Sequence, residues 1–311
     1  MNIREAKEYF LAAKRRKWQP ATYEWYNRQI DVWIGWLEEH DVTGLEWLEP
    51  DLFEQFLDER ETATSASTAD ACWRALSAFF KFLLKRRMLG DHRPPIEFVD
   101  RPRVDEQQPR VADWHAMQRV IKQMESNHYN HWLDLRDRCL IQLLMSTGVR
   151  INEAVNVQMM HVDSKDRFVY IEQGKGGKAR AVPYDDAFQT AFLTYIYNRP
   201  AWNEPVNWLF LAANGHRRPV GMVTTNSARQ VLRERCRAAG VTYQPPHSIR
   251  HMCAITWLND GMPLSAVSAM LGHTSVSFTA KVYAKWVKSG LRRSYDAATK
   301  RADVGLAWRN A

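Results

Sequence analysis

Several short segments of this 311-residue chain carry arginine, histidine, lysine and tyrosine at spacings suited to chemistry on an anion. In STGVRINEA, an apolar helix expected to end at Met145 gives way to a Thr-Gly turn, and Arg150 opens a new helix with Glu153 one turn on. A helix N-terminus favours an anion through its free N–H groups and its dipole, and a guanidinium adds a planar fork matched to phosphate oxygens. Glu153 is spaced to lie beside Arg150 and hold it, although the segment taken alone reads rather as a capping pair on a solvated helix.

In PPHSIRHMCAITWLNDGM the prolines open a helix whose buried stripe is expected to be Ile249, Met252, Cys253 and Thr256. His247 and Arg250 then sit one turn apart on the other face, a pairing suited to holding a phosphate beside a proton-transfer group. His247 and His251 also have the i, i+4 spacing of a zinc pair. The glutamate of an H-E-x-x-H site is missing, however, and Arg250 between the two rings opposes a cation.

In MPLSAVSAMLGHTSVSFTAKVYAKW, Pro263 stands at a first helical turn, Leu264, Val267 and Leu271 form a stripe, and Gly272 stops the helix so that His273 emerges directly after it. A further helix would carry Val276, Thr279, Ala280 and Tyr283. Taken alone, Tyr283 reads as a packed tyrosine and His273 as a structural histidine. The tip Gly174-Lys175-Gly176-Gly177-Lys178 could place a flexible lysine in a nucleic-acid groove or be a solvated turn. It lacks the G-x-x-x-x-G-K-[ST] spacing, so no ATP site is expected.

The elements that must position these groups fall into two parts. The first ~90 residues have helical periodicity, with Ile30, Trp33, Ile34 and Leu37 on one face and Phe79, Phe80, Leu83 and Leu84 on another, and TATSASTAD offers polar helix caps between them. From Arg93 to Arg110, RPPIEFVDRPRVDEQQPR has four prolines and no sustained period, which marks a connector. The expected organisation is a helical domain over 1–93, a linker over 94–109 and a second domain over 110–311. In the second, DWHAMQRVIKQM and DLRDRCLIQLLM read as amphipathic helices, RFVYIEQ and KARAVPY as a hairpin around the GKGG tip, and the remainder as helices.

Composition limits the function classes. Hydrophobic residues make up 45% of the chain and charged residues 25%, as in a folded protein rather than a disordered one. Lysine and arginine total 43 against 35 acidic residues, and the net +8 favours a polyanionic partner without requiring one. Cys72, Cys139, Cys236 and Cys253 lie far apart with no C-x-x-C spacing, which fits a reducing compartment and argues against a zinc knuckle or disulfide framework. No stretch approaches the ~18 apolar residues of a membrane span, and a cytoplasmic protein is expected.

Taken together and in order, TGVRINEA, QGKGGKARAVP, HSIRHMCAITWL, MLGHTSVSFT and VYAKW resemble the catalytic domain of the tyrosine recombinases, or phage integrases, whose pattern is Arg, Lys, His-x-x-Arg, Leu-Gly-His and Tyr. The match covers about residues 110 to 290, and the helical N-terminal region is similar in size to the family's core-binding domain. The resemblance implies a mainly α fold with a small β-sheet: a helical core-binding domain and an α+β catalytic domain that form a clamp around DNA. It implies Arg150 and Arg250 as the pair gripping a scissile phosphate, Lys175 on the hairpin, His247 and His273 as hydrogen-bonding or proton-transfer groups, Tyr283 as nucleophile and Glu153 as the support of Arg150. Tyr283 follows His273 by ten residues where many members have nine, and Lys285 stands where histidine is frequent.

The implied activity is site-specific DNA strand exchange through a 3′-phosphotyrosine and a four-way junction, with no metal or other cofactor. The implied partners are double-stranded DNA, a homo-tetramer on two DNA sites, and accessory DNA-bending or directionality proteins, with a mobile-element or nucleoid-associated setting. A type IB topoisomerase sharing the chemistry, and a DNA-binding regulator of the same fold that does not cut, are the other readings. Chain order and length favour the recombinase, and the filled catalytic positions argue against a regulator. The tail LRRSYDAATKRADVGLAWRNA, with Val304, Leu306 and Trp308, could dock on a neighbouring protomer or on its own domain.

Overall fold

Local sequence signals start most of the helices. In α1 (Ile3–Lys14) the Asn2 side chain accepts from the Arg4 N–H at 2.8 Å while Glu5 reaches back to the Asn2 N–H at 3.2 Å, a reciprocal cap that satisfies two otherwise free donors. Pro20 and Pro50 occupy the first positions of α2 (Pro20–Glu39) and α3 (Pro50–Ala63), and Ser65, within the polar stretch read as a cap, accepts from Thr68 at the start of α4 (Ala66–Lys85). The computed structural model describes residues 2–89, 94–105, 109–126, 131–172, 179–202, 207–273, 275–283 and 286. It divides into two units, Met1–Gln107 and Gln108–Ala311.

The first unit is a bundle of α1 to α4 around an aromatic core. Phe10, Trp33, Phe53, Phe79 and Phe80 are fully buried, and the Trp33 and Phe53 rings stack at 5.2 Å. Each such side chain withdrawn from water contributes roughly 1.5–3 kcal/mol, which lets a small bundle hold together. The proline-rich stretch after α4 is tied to this unit. Ile96 and Val99 enter its core, Arg101 pairs with Asp70 at 2.6 Å, and Trp73 donates to the Val99 carbonyl.

The second unit begins with α5 (Trp114–Ser126), capped by Asp113 through the His115 N–H at 2.8 Å. Next come α6 (Trp132–Thr147) and the five-residue α7 (Ile151–Val155), then an antiparallel sheet of β1 (Val162–Asp163), β2 (Phe168–Ile171) and β3 (Arg180–Pro183) in the order β1-β2-β3. The β2–β3 register pairs Phe168 with Pro183, Val169 with Val182, Tyr170 with Ala181 and Ile171 with Arg180. After α8 (Asp186–Asn198) a second hairpin, β4 (Leu211–Ala213) with β5 (Pro219–Met222), interrupts what was expected to be helix. Its turn is fixed by Asn214, whose side-chain oxygen accepts from the backbone of His216 and Arg218, both at 3.0 Å.

The chain ends its described course with α9 (Thr225–Ala238), α10 (Pro246–Asn259), α11 (Leu264–Leu271) and a helical segment over 276–283. α10 differs from the expected single stripe. Pro246, every residue from 248 to 255, and Leu258 are buried, and Thr256 is only half-buried, because α6 and α11 both pack against it. Among the described residues no helix is long and apolar enough to cross a membrane.

Candidate functional site

The turn after α6 sets the first arginine. Gly148 adopts φ +58° and ends the helix, and a side chain there would bring a Cβ within 3.1 Å of the Trp257 ring and 3.3 Å of Cys253. The left-handed conformation and the lack of space both demand glycine. Arg150 follows as the residue that caps α7. Glu153 is buried and accepts twice from it, from the backbone N–H and from Nη1, both at 2.9 Å. This alters the sequence expectation in one respect. With five residues α7 has little dipole, and the Arg150 N–H is already used by Glu153, so the anion-attracting element here is the guanidinium itself.

Arg250 comes from the second turn of α10 and is 2% exposed. Its Nη1 donates to the Gly148 carbonyl at 2.9 Å and its Nη2 to the Leu271 carbonyl. One guanidinium thus links the turn that delivers Arg150 to the turn that delivers His273. Burial and then the nearby charge of Arg150 push it down to about 10, which leaves it protonated at neutral pH.

The chain has a further guanidinium here that motif spacing did not single out. Arg180, at the start of β3, pairs with Glu153 at 2.7 Å and donates through Nε to the Met270 carbonyl at 2.9 Å. Burial works to raise the Glu153 carboxyl, but hydrogen bonds and charge from Arg180, and then from Arg150, outweigh it and hold the group below its ordinary value. Three guanidiniums therefore gather around one carboxylate, an excess of two positive charges within this group of four residues. A signal for Arg180 was present in the strand alternation. Val182 faces inward and Ala181 outward, so Arg180 must share the inward face, where an arginine needs a partner.

The three imidazoles are held neutral. His247, on the exposed side of α10, lies below its ordinary value because its ring is partly withdrawn from water and faces Arg250 and then Arg150. His273 is lowered to about 4 by burial and then by Arg250 and Arg150. Its Nδ1 is 2.7 Å from the Thr279 hydroxyl, which itself donates to Ser268 at 3.0 Å. With that hydroxyl proton committed, Nδ1 carries the hydrogen and Nε2 is the basic nitrogen. His251 is lowered to about 4 by burial, then by His247 and Arg250.

Tyr283 is 1% exposed and packs among Ala254, Ile255, Leu258, Val267 and Leu271. Its hydroxyl is 2.7 Å from Nδ1 of His251. The imidazole in contact with the tyrosine is thus His251, whose ring in turn packs edge-on against His247 at 4.6 Å between centroids. Burial raises Tyr283 to about 12. The Tyr283 hydroxyl is thus enclosed within this cluster, with His251 as its hydrogen-bond partner. Lys175 and Lys178 lie outside the described residues.

The comparisons with known proteins agree with this architecture. The phage integrase family model matches residues 113–289, and the model of the phage integrase N-terminal SAM-like domain matches residues 7–87. The chain belongs to the phage integrase family and, within it, to the tyrosine recombinases. Among its relatives is the tyrosine recombinase XerD of Staphylococcus aureus, 27% identical over 284 residues that cover 89% of this chain and 92% of the relative. XerC of Anoxybacillus flavithermus is 27% identical over 277 residues, covering 87% and 88%. The Tn1549 transposon integrase, solved in complex with a circular intermediate DNA, shares the fold at a TM-score of 0.73 and 17% identity over 94% of this chain and 99% of that one. The XerH recombinase, solved bound to its difH substrate before cleavage, does so at 0.72 and 16% over 91% and 82%.

Proposed function

We propose that this recombinase cuts and rejoins double-stranded DNA through a 3′-phosphotyrosine made by Tyr283, without metal or other cofactor. The observation that carries the reading is the excess of two positive charges where Arg150, Arg180 and Arg250 meet Glu153 beside His273. Such a site is unfavourable empty and is completed by an anion. A phosphodiester gains charge as its pentacovalent transition state forms, so fixed guanidiniums stabilise that state more than the ground state.

In this reading Arg150 and Arg250 grip the non-bridging oxygens, Glu153 holds Arg150, and His273 binds the same phosphate. The Tyr283 oxygen attacks phosphorus and its proton passes to an imidazole, with His251 the ring in contact at rest and His247 packed against that ring. The 5′ oxygen departs and takes a proton from Lys175, a role that rests on the order of motifs. The phosphotyrosine conserves the bond, so religation to another strand needs no nucleotide.

The wider assembly belongs to the same proposal: a core-binding domain over 1–93, a linker over 94–109 and a catalytic domain over 110–311, with four protomers exchanging strands on two duplexes through a four-way junction. Relatives solved with DNA and relatives named as recombinases support it. So do the net charge of +8 and the cysteine pattern, which fit a DNA partner in the cytoplasm. Accessory DNA-bending or directionality proteins would set the outcome.

The test is incubation of the full chain in EDTA with a nicked suicide duplex carrying the DNA that flanks its own gene, followed by denaturing electrophoresis. The expected result is a covalent protein–DNA adduct that disappears in Tyr283→Phe. Specific binding without an adduct would overturn the reading in favour of a non-cutting regulator, and an adduct that survives Tyr283→Phe would overturn the choice of nucleophile.

A further inference from the structure

Arg180 is placed to do more than neutralise Glu153. Its guanidinium is nearly enclosed and every arm is engaged: Nη2 and Nη1 on the two Glu153 oxygens at 2.7 and 3.2 Å, and Nε on the Met270 carbonyl at 2.9 Å. The Glu153 oxygen that receives Nη1 also accepts from Arg150. Gly272, one residue before His273, abuts the same group. A Cβ built on it would lie 2.7 Å from both the central carbon and Nη1 of Arg180, and its φ is +65°. The glycine of the Leu-Gly-His turn is therefore needed twice, for its backbone and for the guanidinium seated where a side chain would be.

We propose that Arg180 is a positioning residue for DNA cleavage, fixing Glu153, and through it Arg150, in register with the turn that presents His273. The inference rests on the reading above, in which Arg150 and His273 handle the scissile phosphate. The geometry explains why an interior arginine is kept in a site already too positive. A planar fork can satisfy a carboxylate with two parallel bonds and still donate sideways through Nε, whereas a lysine offers one ammonium and cannot span both partners. Misplacing a reacting group by about 1 Å can cost roughly 100-fold in rate, so a tie between two phosphate-handling segments acts on the chemical step.

The experiment measures single-turnover cleavage of the suicide duplex by the full chain at saturating protein, together with duplex affinity. The variants are Arg180→Lys, Arg180→Met, Glu153→Gln, Gly272→Ala and the double substitutions with Arg180→Met. The rate constant is read rather than the amplitude, because a misfolded fraction lowers only the amplitude. Arg180→Met is expected to slow cleavage about 100-fold with affinity unchanged, since all three guanidinium nitrogens are already committed to Glu153 and the Met270 carbonyl. Arg180→Lys should recover little of the loss. Losses with Glu153→Gln or Gly272→Ala should be far from additive, as for groups acting in one network. A wild-type rate constant with reduced amplitude, or losses that add, would overturn the positioning role while the recombinase reading stood. Absence of any Tyr283-dependent adduct in the wild type would overturn both.

Discussion

The hydroxyl of Tyr283 lies 2.7 Å from Nδ1 of His251, and both groups are buried. Neither has an equivalent exchange with water available, so each is the other's means of satisfying a polar atom in an apolar cluster. The tyrosine, raised to about 12, and the imidazole, lowered to about 4, both stay neutral at physiological pH. The contact is therefore a neutral hydrogen bond, and in the proposed mechanism proton transfer across it awaits the arrival of the phosphate charge.

That pairing is measurable as a coupling. Tyr283→Phe leaves a buried nitrogen unpaired and His251→Leu leaves a buried hydroxyl unpaired, each costing about 1–2 kcal/mol. The double variant loses the bond but leaves nothing unpaired. Urea unfolding of the four proteins is expected to give a coupling of about 1 kcal/mol, and strict additivity would mean that the two groups do not meet in solution.

The imidazoles also set a pH dependence. His251 and His273 have folded values near 4 against an ordinary 6.5, so between those limits the unfolded chain binds more protons than the folded one. Stability is then complete above about 6.5 and is lost as pH falls towards 4, with buried His251 alone contributing on the order of 2–3 kcal/mol across the window. Thermal unfolding between pH 7 and 4.5 should show the decline, and His251→Gln should flatten it. An unchanged slope in that variant would remove His251 as a source.

Much of the site was legible because charged and imidazole side chains stand out in apolar text. Arg150, Arg250 and His273 each follow a turn or open a helix whose glycine or proline marks the place. What could not be read is pairing at a distance. Arg180 is 27 residues from Glu153 and His251 is 32 residues from Tyr283, and nothing local in KARAVPY or HSIRH states those partners. His251 in fact presented itself through its i, i+4 relation to His247, a spacing that suggests a metal and says nothing of a tyrosine. The short β4–β5 hairpin escaped because a three-residue strand and a four-residue strand containing proline and glycine carry too little alternation to register. The burial of α10 on nearly every side escaped because His247 and Arg250 read as a face opposite the buried stripe, whereas buried carbonyl partners let Arg250 turn inward.

A second ionic cluster in the second unit provides a structural contrast. Arg235 bridges Asp134 at 2.6 Å and also pairs with Asp137, which Arg136 holds from the other side while donating to the Leu211 carbonyl at 2.8 Å. Asp137 is 4% exposed. Arg235→Met should destabilise the fold by about 1–3 kcal/mol, less than full abandonment of a buried charge because Arg136 remains. Calorimetry should show the loss while the single-turnover cleavage constant stays at the wild-type value; a slowed constant would place this cluster in the cleavage machinery.

The excess charge of the arginine cluster leads to the last expectation. Arg150, Arg180 and Arg250 exceed Glu153 by two positive charges, so a tetrahedral oxyanion that binds there stabilises the folded chain by mass action. At ten times its dissociation constant the gain is about 1.4 kcal/mol, enough to raise the melting temperature by a few degrees. Sulfate also stabilises proteins without binding a site, so the comparison is made against Arg150→Gln in the same salt at fixed ionic strength. A saturating rise in the wild type that the variant lacks locates the anion at Arg150, because only that guanidinium of the three is more than a quarter exposed, at 28%, and so is open to an incoming ion. An equal rise in both proteins would show that the site does not capture a free anion and that the phosphate must be delivered by the bound duplex.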